Sequence, residues 1–302
     1  MNGRVPHIVQ YQGSKRMLAP QILQYMPKNI KRLIEPFSGM AAITVASAYE
    51  DRAERYVVND LNTQIIELLE CAIHTPETLI ERYSRIWCEQ FEYPGGHLDH
   101  FYNVRDRYNS GEHSPEIMLY LLARCVKGAV RYGRNGKFNQ SPDKRRNGTN
   151  PKNIAINVRQ ISHLLKGRIE FLSIDYKDIL AHVQPGDLIY MDPPYQGVSN
   201  VRDNRYYAGV EFEEFVRAIE MLSERNVDYI ISYDGSCGEK SYGKELPSHL
   251  NCTKVMLNAG LSSQATLLGR RNMTYEALYL SEGLSPIIKK MPEQICMWEQ
   301  AG

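Results

Sequence analysis

The 302-residue sequence contains no C-x-x-C pair, and its six cysteines (Cys71, Cys88, Cys125, Cys237, Cys252 and Cys296) lie scattered along the chain. That spacing argues against a disulfide framework or a cysteine-based zinc site and for reduced thiols. His97 and His100, with Asp99 between them, make at most half of a metal site. No second Cys/His cluster supplies the remainder of the roughly four ligands a structural metal takes, so no metal is expected. No stretch approaches the ~18 apolar residues of a membrane span. The opening Met1–Lys15 lacks the apolar core of a secretory leader, which makes the cytoplasm the expected location. Internal repeats and low-complexity tracts are also missing. What remains is ordinary for a globular protein: 43% hydrophobic and 24% charged residues. The length suits one large α/β domain carrying an insertion, or two modest domains.

Acidic residues are nearly absent from one segment. Between Lys127 and Arg168 the chain has eleven lysines and arginines against a single acid, Asp143, although the whole molecule nets only +1. Concentrated positive charge on an otherwise acidic protein suggests a polyanion docking at one place. A solvated basic loop beside a helix would give the same count, and charge alone does not separate DNA from RNA.

Hydrophobic periodicity predicts alternating strands and helices at both ends. Strands are expected at Lys31–Phe37, Arg55–Asp60, Arg168–Asp175, Asp187–Asp192, Asp228–Asp234, Thr253–Asn258 and Thr274–Ser281. Helices are expected at Ala41–Glu50, Asn62–His74, Tyr176–Val183 and Glu211–Asn226. The middle changes character. Thr75–Cys125 reads as helices broken at Pro94–Gly96 and at Ser110-Gly111. Asn135-Gly136 between Tyr132 and Phe138 then signals a hairpin. The expected fold is a doubly wound, mostly parallel α/β sheet of Rossmann type. Residues 1–70 and 166–302 would form its main domain, and 71–165 an inserted, largely helical domain with the hairpin. Ligands of such sheets bind beyond the carboxyl ends of the strands.

Three motifs fall at those ends. Glu35-Pro36-Phe37-Ser38-Gly39 joins a strand to a helix; its small residues admit a ligand close to the backbone. It is not a G-x-G-x-x-G run, and by itself it is also what any tight strand-to-helix turn needs. Asp60 follows Gly39 by 21 residues, near the ~20-residue spacing of an acid that holds an adenosine ribose; it could equally cap the next helix. Asp192-Pro193-Pro194-Tyr195 is the most specific. Two prolines remove two backbone donors and fix φ twice, which leaves carbonyls rigidly aimed. Asp192 and the Pro193 carbonyl can each accept one hydrogen of an exocyclic amino group, while Tyr195 offers a ring for stacking. The bland alternative is a strand terminator.

With these residues in order, the chain resembles the DNA adenine methylase family of N6-adenine methyltransferases. Tyr11-Gln12-Gly13-Ser14-Lys15 matches that family's opening motif, and Glu35–Gly39 its glycine motif. Asn59–Asn62 matches its ribose motif, Arg131-Tyr132 with Gly136–Asn139 its hairpin, and Asp192–Tyr195 its D-P-P-Y motif. The resemblance implies a methyl transfer from S-adenosylmethionine to N6 of an adenine flipped out of duplex DNA. It implies cofactor contacts from Tyr11, Lys15, Glu35, Phe37, Gly39, Asp60, Asp175, Tyr176 and Asp192, and catalysis by Asp192, Pro193, Pro194 and Tyr195. DNA contacts are expected from Lys127, Arg131, Tyr132, Arg134, Lys137, Asn139, Lys144, Arg145 and Arg146. Arg131 would read a guanine edge, and Lys144–Arg146 would meet phosphates from a flexible loop. A monomer is expected, acting alone or beside a restriction endonuclease of the same site.

The chain departs from the family pattern at Met40-Ala41, at Lys127-Gly128, at Gln140–Asp143, and at Asp175, where a serine is common. An RNA methyltransferase could use a similar acid-Pro-Pro-aromatic motif, but the long basic insertion disfavours it. A catalytically dead nucleic-acid-binding relative is disfavoured by intact Asp60 and Asp192. An N4-cytosine enzyme would usually carry Ser in place of Asp192.

Overall fold

The computed structural model describes residues 4–194, 210–237, 240–242, 244–261 and 273–289. Within them lies an eight-stranded mixed sheet. Five strands are parallel: β1 (Ile30–Glu35), β2 (Ala53–Asn59), β3 (Ile169–Leu172), β4 (Asp187–Met191) and β5 (Asp228–Cys237). Three are antiparallel: β6 (Lys240–Tyr242), β7 (Thr253–Leu261) and β8 (Met273–Leu280). The order is β3-β2-β1-β4-β5-β8-β7, with β6 on β5. The strand order reverses at β1, which pairs with β2 on one side and β4 on the other. Arg32 fixes that seam by binding both carboxylate oxygens of Asp187, at 3.0 and 2.6 Å.

Each parallel strand runs into a helix or a turn, as the hydrophobic pattern predicts, with ends within a few residues of the expected ones. The helices are α1 (Ala19–Ile22), α2 (Ala42–Tyr49), α3 (Thr63–His74), α4 (Pro76–Glu89), α5 (Gly96–Asn109), α6 (Pro115–Arg124), α7 (Pro151–Leu165), α8 (Tyr176–Leu180) and α9 (Phe212–Glu224). The periodicity reading passes over α7, although its signals are local. Asn150 accepts the Lys152 N–H as N-cap, Pro151 opens the helix, and Ile154, Val158, Ile161 and Leu165 form a buried stripe at helical spacing. Residue 70, expected as a domain boundary, lies inside α3. Helices α4, α6 and α7 share one apolar core with the sheet through Leu79, Tyr83, Leu119, Val158, Leu33 and Val58. A second core, under α8 and α9, covers the other face through Ile179, Phe215, Ile219, Ile189 and Ile231.

The hairpin forms around the expected turn. Tyr132 bridges Phe138, Gly136 N–H bonds to Gly133 O at 3.0 Å, and Gly133 N–H bonds to Lys137 O at 2.8 Å. Only Gly136 takes a positive φ, +72°, so the turn centres on Arg134-Asn135 with glycine in the bulge position. Asn135 supports it by accepting the Lys137 N–H.

Candidate active site

A cavity of about 240 Å³ opens at the carboxyl ends of β1, β2 and β4. The cofactor residues expected from the sequence, Tyr11, Lys15, Glu35, Phe37, Gly39, Asp60, Asp175, Tyr176 and Asp192, all line it, as do Pro193 and Pro194. Tyr195 lies outside the described residues. Of the expected DNA-facing residues only Tyr132 reaches the cavity wall. Lys127, Arg131, Arg134, Lys137, Asn139, Lys144, Arg145 and Arg146 are exposed beyond it.

The glycine turn is built by close approach. Gly39 has φ +47°, and a Cβ there would lie 2.9 Å from the Tyr11 ring. Ala41, at a departure from the family pattern, is also left-handed at φ +52°, a conformation that costs an L-residue about 1–2 kcal/mol. Glu35 is buried, and its Oε2 accepts from Thr44 N–H at 3.0 Å and Thr44 Oγ1 at 2.7 Å. It thus caps α2 from beneath, where the cap residue Ala41 offers no side-chain acceptor. Burial pushes the Glu35 carboxyl up to about 8, against the lowering effect of the Thr44 bonds.

Asp60 ties two loops together. Its Oδ2 accepts from Gly39 N–H and its Oδ1 from Asn62 N–H, both at 2.9 Å. The cap position of α3 is Asn62, so Asp60 holds the glycine turn against β2 and does not cap α3 directly. Burial raises its pKa above the ordinary carboxylate value. Asn59 completes this floor. Its side-chain NH₂ donates to Pro36 O and Ile174 O, and its Oδ1 accepts the Ile174 N–H at 2.9 Å. Phe37 and Tyr176 form an aromatic wall, ring centres 5.0 Å apart. Asp175 caps α8 by accepting the Lys177 N–H at 2.9 Å.

The opposite wall carries an ion-pair cluster in which Lys15 and Asp192, both expected, meet Glu276, which sequence reasoning missed. Lys15 Nζ lies 2.8 Å from Asp192 Oδ1 and 2.6 Å from Glu276 Oε1. Glu276 comes from β8 and also accepts the Ser232 hydroxyl of β5. Burial and the nearby Glu276 push the Asp192 carboxyl up to about 6, with Lys15 pulling it down. The available signal was a lone acid in the apolar run Tyr275–Leu280, since a buried charge requires a partner.

The N-terminal segment reaches this wall by docking on the turn at Lys127-Gly128. Gln12 N–H bonds to Gly128 O at 3.0 Å. A Cβ on Gly128 (φ +59°) would strike Gln10 O at 1.9 Å. Lys127, where the family often has Asn, is left-handed at φ +64°, a region Asn tolerates better. Tyr132 ties the hairpin to the same wall, its hydroxyl 3.4 Å from Asn62 Nδ2 and 3.1 Å from Tyr108 OH. The two histidines considered for a metal are built into α5 packing: His100 Nδ1 meets Tyr120 OH at 2.8 Å, and His97 O accepts from Arg124.

A doubly wound sheet whose switch-point cavity sets an acid beside a glycine turn and an acid-Pro-Pro wall opposite defines a Rossmann-like α/β protein with its ligand site at the carboxyl ends of the strands. The chain belongs to the D12 class N6 adenine-specific DNA methyltransferase family, which matches residues 11–259. The reaction is methyl transfer to N6 of adenine in DNA. The chain is 27% identical to the DNA N-6-adenine-methyltransferase of Escherichia phage P1 over 76% of its own length and 30% of that protein's. It is 25% identical to the retron Ec67 DNA adenine methylase of Escherichia coli, covering 86% of this chain and 88% of that one. To the type II methyltransferase M.MjaIII of Methanocaldococcus jannaschii it is 24% identical, covering 92% and 99%. No helix among the described residues is long and apolar enough to cross a membrane.

Proposed function

We propose that the cavity holds S-adenosylmethionine across β1 and β2, and a flipped adenine of duplex DNA against Asp192-Pro193-Pro194. The observation that carries this reading is the convergence of Gly39, Asp60, Lys15 and Asp192 on one cavity at the switch point. The donor set fits the cofactor. Asp60 spends one lone pair of each oxygen on backbone N–H groups and has acceptor capacity left for ribose hydroxyls. Phe37 and Tyr176 offer apolar faces to the cofactor's adenine. When bound, the cofactor supplies a methyl carbon activated by its sulfonium.

Every other part of the chemistry falls to side chains and backbone of this chain. Ionised Asp192 and the Pro193 carbonyl accept the two N6 hydrogens. This turns the nitrogen lone pair toward the methyl group and stabilises the positive charge developing on N6. Lys15 favours the ionised form of Asp192 against burial. Holding the reactants in line supplies much of the rate enhancement. The base leaves its stack at a cost of a few kcal/mol, which the basic surface offsets through phosphate contacts. Lys127, Arg134, Lys137, Lys144, Arg145 and Arg146 face the backbone, Asn139 supports the hairpin's contact, and Arg131 reads a guanine edge. In this reading segment 71–165 is the target-recognition unit. The enzyme works as a cytoplasmic monomer, alone or beside an endonuclease of the same site.

Single-molecule sequencing of DNA from cells expressing the protein tests the proposal. N6-methyladenine in one sequence context is expected with the parent chain and none with Asp192→Ala. Full methylation by the variant would overturn the assignment of Asp192.

A further inference from the structure

The basic loop Asp143–Thr149 is anchored from inside. Arg124, at the end of α6, is fully buried, as are Tyr83 of α4 and Gln90, which caps its C-terminus. The Arg124 guanidinium donates to Asp143 O at 3.3 Å, to Arg146 O, and to His97 O of α5 at 3.3 Å. Gln90 Nε2 donates to Asn147 O at 3.1 Å, and the Tyr83 hydroxyl to Thr149 O at 2.5 Å. Asp143 N–H returns a bond to Arg124 O at 2.7 Å. Gly148 (φ +83°) lies so close that a Cβ would stand 2.9 Å from Arg124 Cδ. The sequence suggests a flexible loop. The structure instead holds a segment with four inward carbonyls, each met by a buried donor, and three exposed cations, Lys144, Arg145 and Arg146.

The electrostatics of this arrangement are strongly positive: within the loop only Asp143 opposes the cations, its Oδ2 3.7 Å from Arg146 Nε. Among the described residues no carboxylate lies within salt-bridge distance of Arg124; its hydrogen bonds go to three carbonyls and to the Tyr120 hydroxyl. A buried cation without a counter-ion beneath three exposed cations is unfavourable for the isolated protein. Turning four carbonyls inward also withdraws the negative ends of those peptide dipoles from the outer surface. Both features suit an anion on the outside.

We propose that Arg124, Gln90 and Tyr83 are positioning residues for DNA docking. They hold Asp143–Thr149 as a fixed clamp on phosphodiester groups of the duplex. This rests on the reading that the basic segment faces DNA. Because the loop is ordered before binding, its three cations engage phosphates without an ordering cost at that moment.

The test uses the full-length enzyme and measures DNA affinity across salt, KM for DNA, kcat and S-adenosylmethionine affinity. Arg124→Met is expected to raise the DNA Kd and KM about tenfold and to flatten the salt slope by about one unit for each phosphate no longer neutralised. Its kcat at saturating DNA and its cofactor affinity should stay within about twofold. Amide exchange at residues 144–149 should quicken. The triple variant Lys144→Ala, Arg145→Ala, Arg146→Ala separates the two ideas. If the triple variant keeps parental affinity and salt slope, the loop does not face DNA and the underlying reading falls. If it weakens binding while Arg124→Met does not, the positioning role alone is overturned. Should Arg124→Met fail to fold, Tyr83→Phe and Gln90→Met decide: parental salt slopes in both would overturn the proposal, and flattened slopes would support it.

Discussion

Residue-scale chemistry centres on two acids that burial pushes up alike but whose roles call for opposite charge states. Asp192 must be ionised to accept an N6 hydrogen, and its carboxyl sits at about 6. Activity is therefore expected to rise with pH through about 6, and kcat/KM against pH is the measurement. Asp192→Asn, which is neutral and can present an N–H to the amino group, should lose at least 100-fold in kcat, the scale of removing one preorganised charge-stabilising group. Glu35 behaves differently, because it caps α2 and needs no charge. The folded state keeps its proton up to about 8, whereas an unfolded chain releases it near the ordinary 4.5. Between those values the native state binds more protons, so stability falls as pH rises across that window. Glu35→Gln should remove this slope while keeping the cap, which chemical denaturation at pH 5 and pH 8 would show. Asp60→Ala should weaken S-adenosylmethionine binding by roughly 1.5–3 kcal/mol, read by calorimetry. An unchanged affinity would mean that Asp60 only ties Gly39 to β2.

Among the elements, the Lys127-Gly128 turn and the hairpin connect the basic segment to the cavity wall. Gly128→Ala should displace Gln10–Gln12, because no Cβ fits beside Gln10 O. The expected result is a cofactor affinity reduced about tenfold or more, with Tyr11 and Lys15 both out of place. Tyr132→Phe removes the hydroxyl that meets Asn62 and Tyr108. It should shift cofactor affinity by a few-fold while leaving phosphate contacts intact, as fluorescence titration with and without DNA would report. These links also show what the sequence made legible. The strands and their terminal motifs were readable because Glu35, Asp60 and Asp192 each end an apolar run at a chain break in periodicity. In sequence Tyr132 reads like its exposed neighbours, because a hairpin's alternation does not say which face meets the cavity. Glu276 lies 261 residues from Lys15, and only the antiparallel return of β8 beside β5 brings them together. Arg124 stands three residues before the counted basic segment, and a buried arginine has no mark of its own in a sequence.

Across the whole molecule, the basic excess between Lys127 and Arg168 divides by position. Arg159 is engaged by Glu77 and Arg168 by Asp51, so the end of that segment is locally neutralised around α7 and β3. Lys152 and Lys166 stay exposed on α7 and after it, but the densest run of exposed cations lies from Lys127 to Arg146, on the hairpin and the loop after it, with Asp143 near Arg146. Neutralising Arg131 should therefore weaken cognate DNA by roughly 1–3 kcal/mol and scrambled DNA by less. Equal losses on both would make Arg131 a phosphate contact.

The placement of Lys15 between Asp192 and Glu276 also sets a timetable. The lysine is synthesised 261 residues before the glutamate, with the β5 serine that steadies it emerging in between. A nascent chain can bring the glycine turn and β2 together before Glu276 exists, yet the cavity wall built on Lys15 waits for β8.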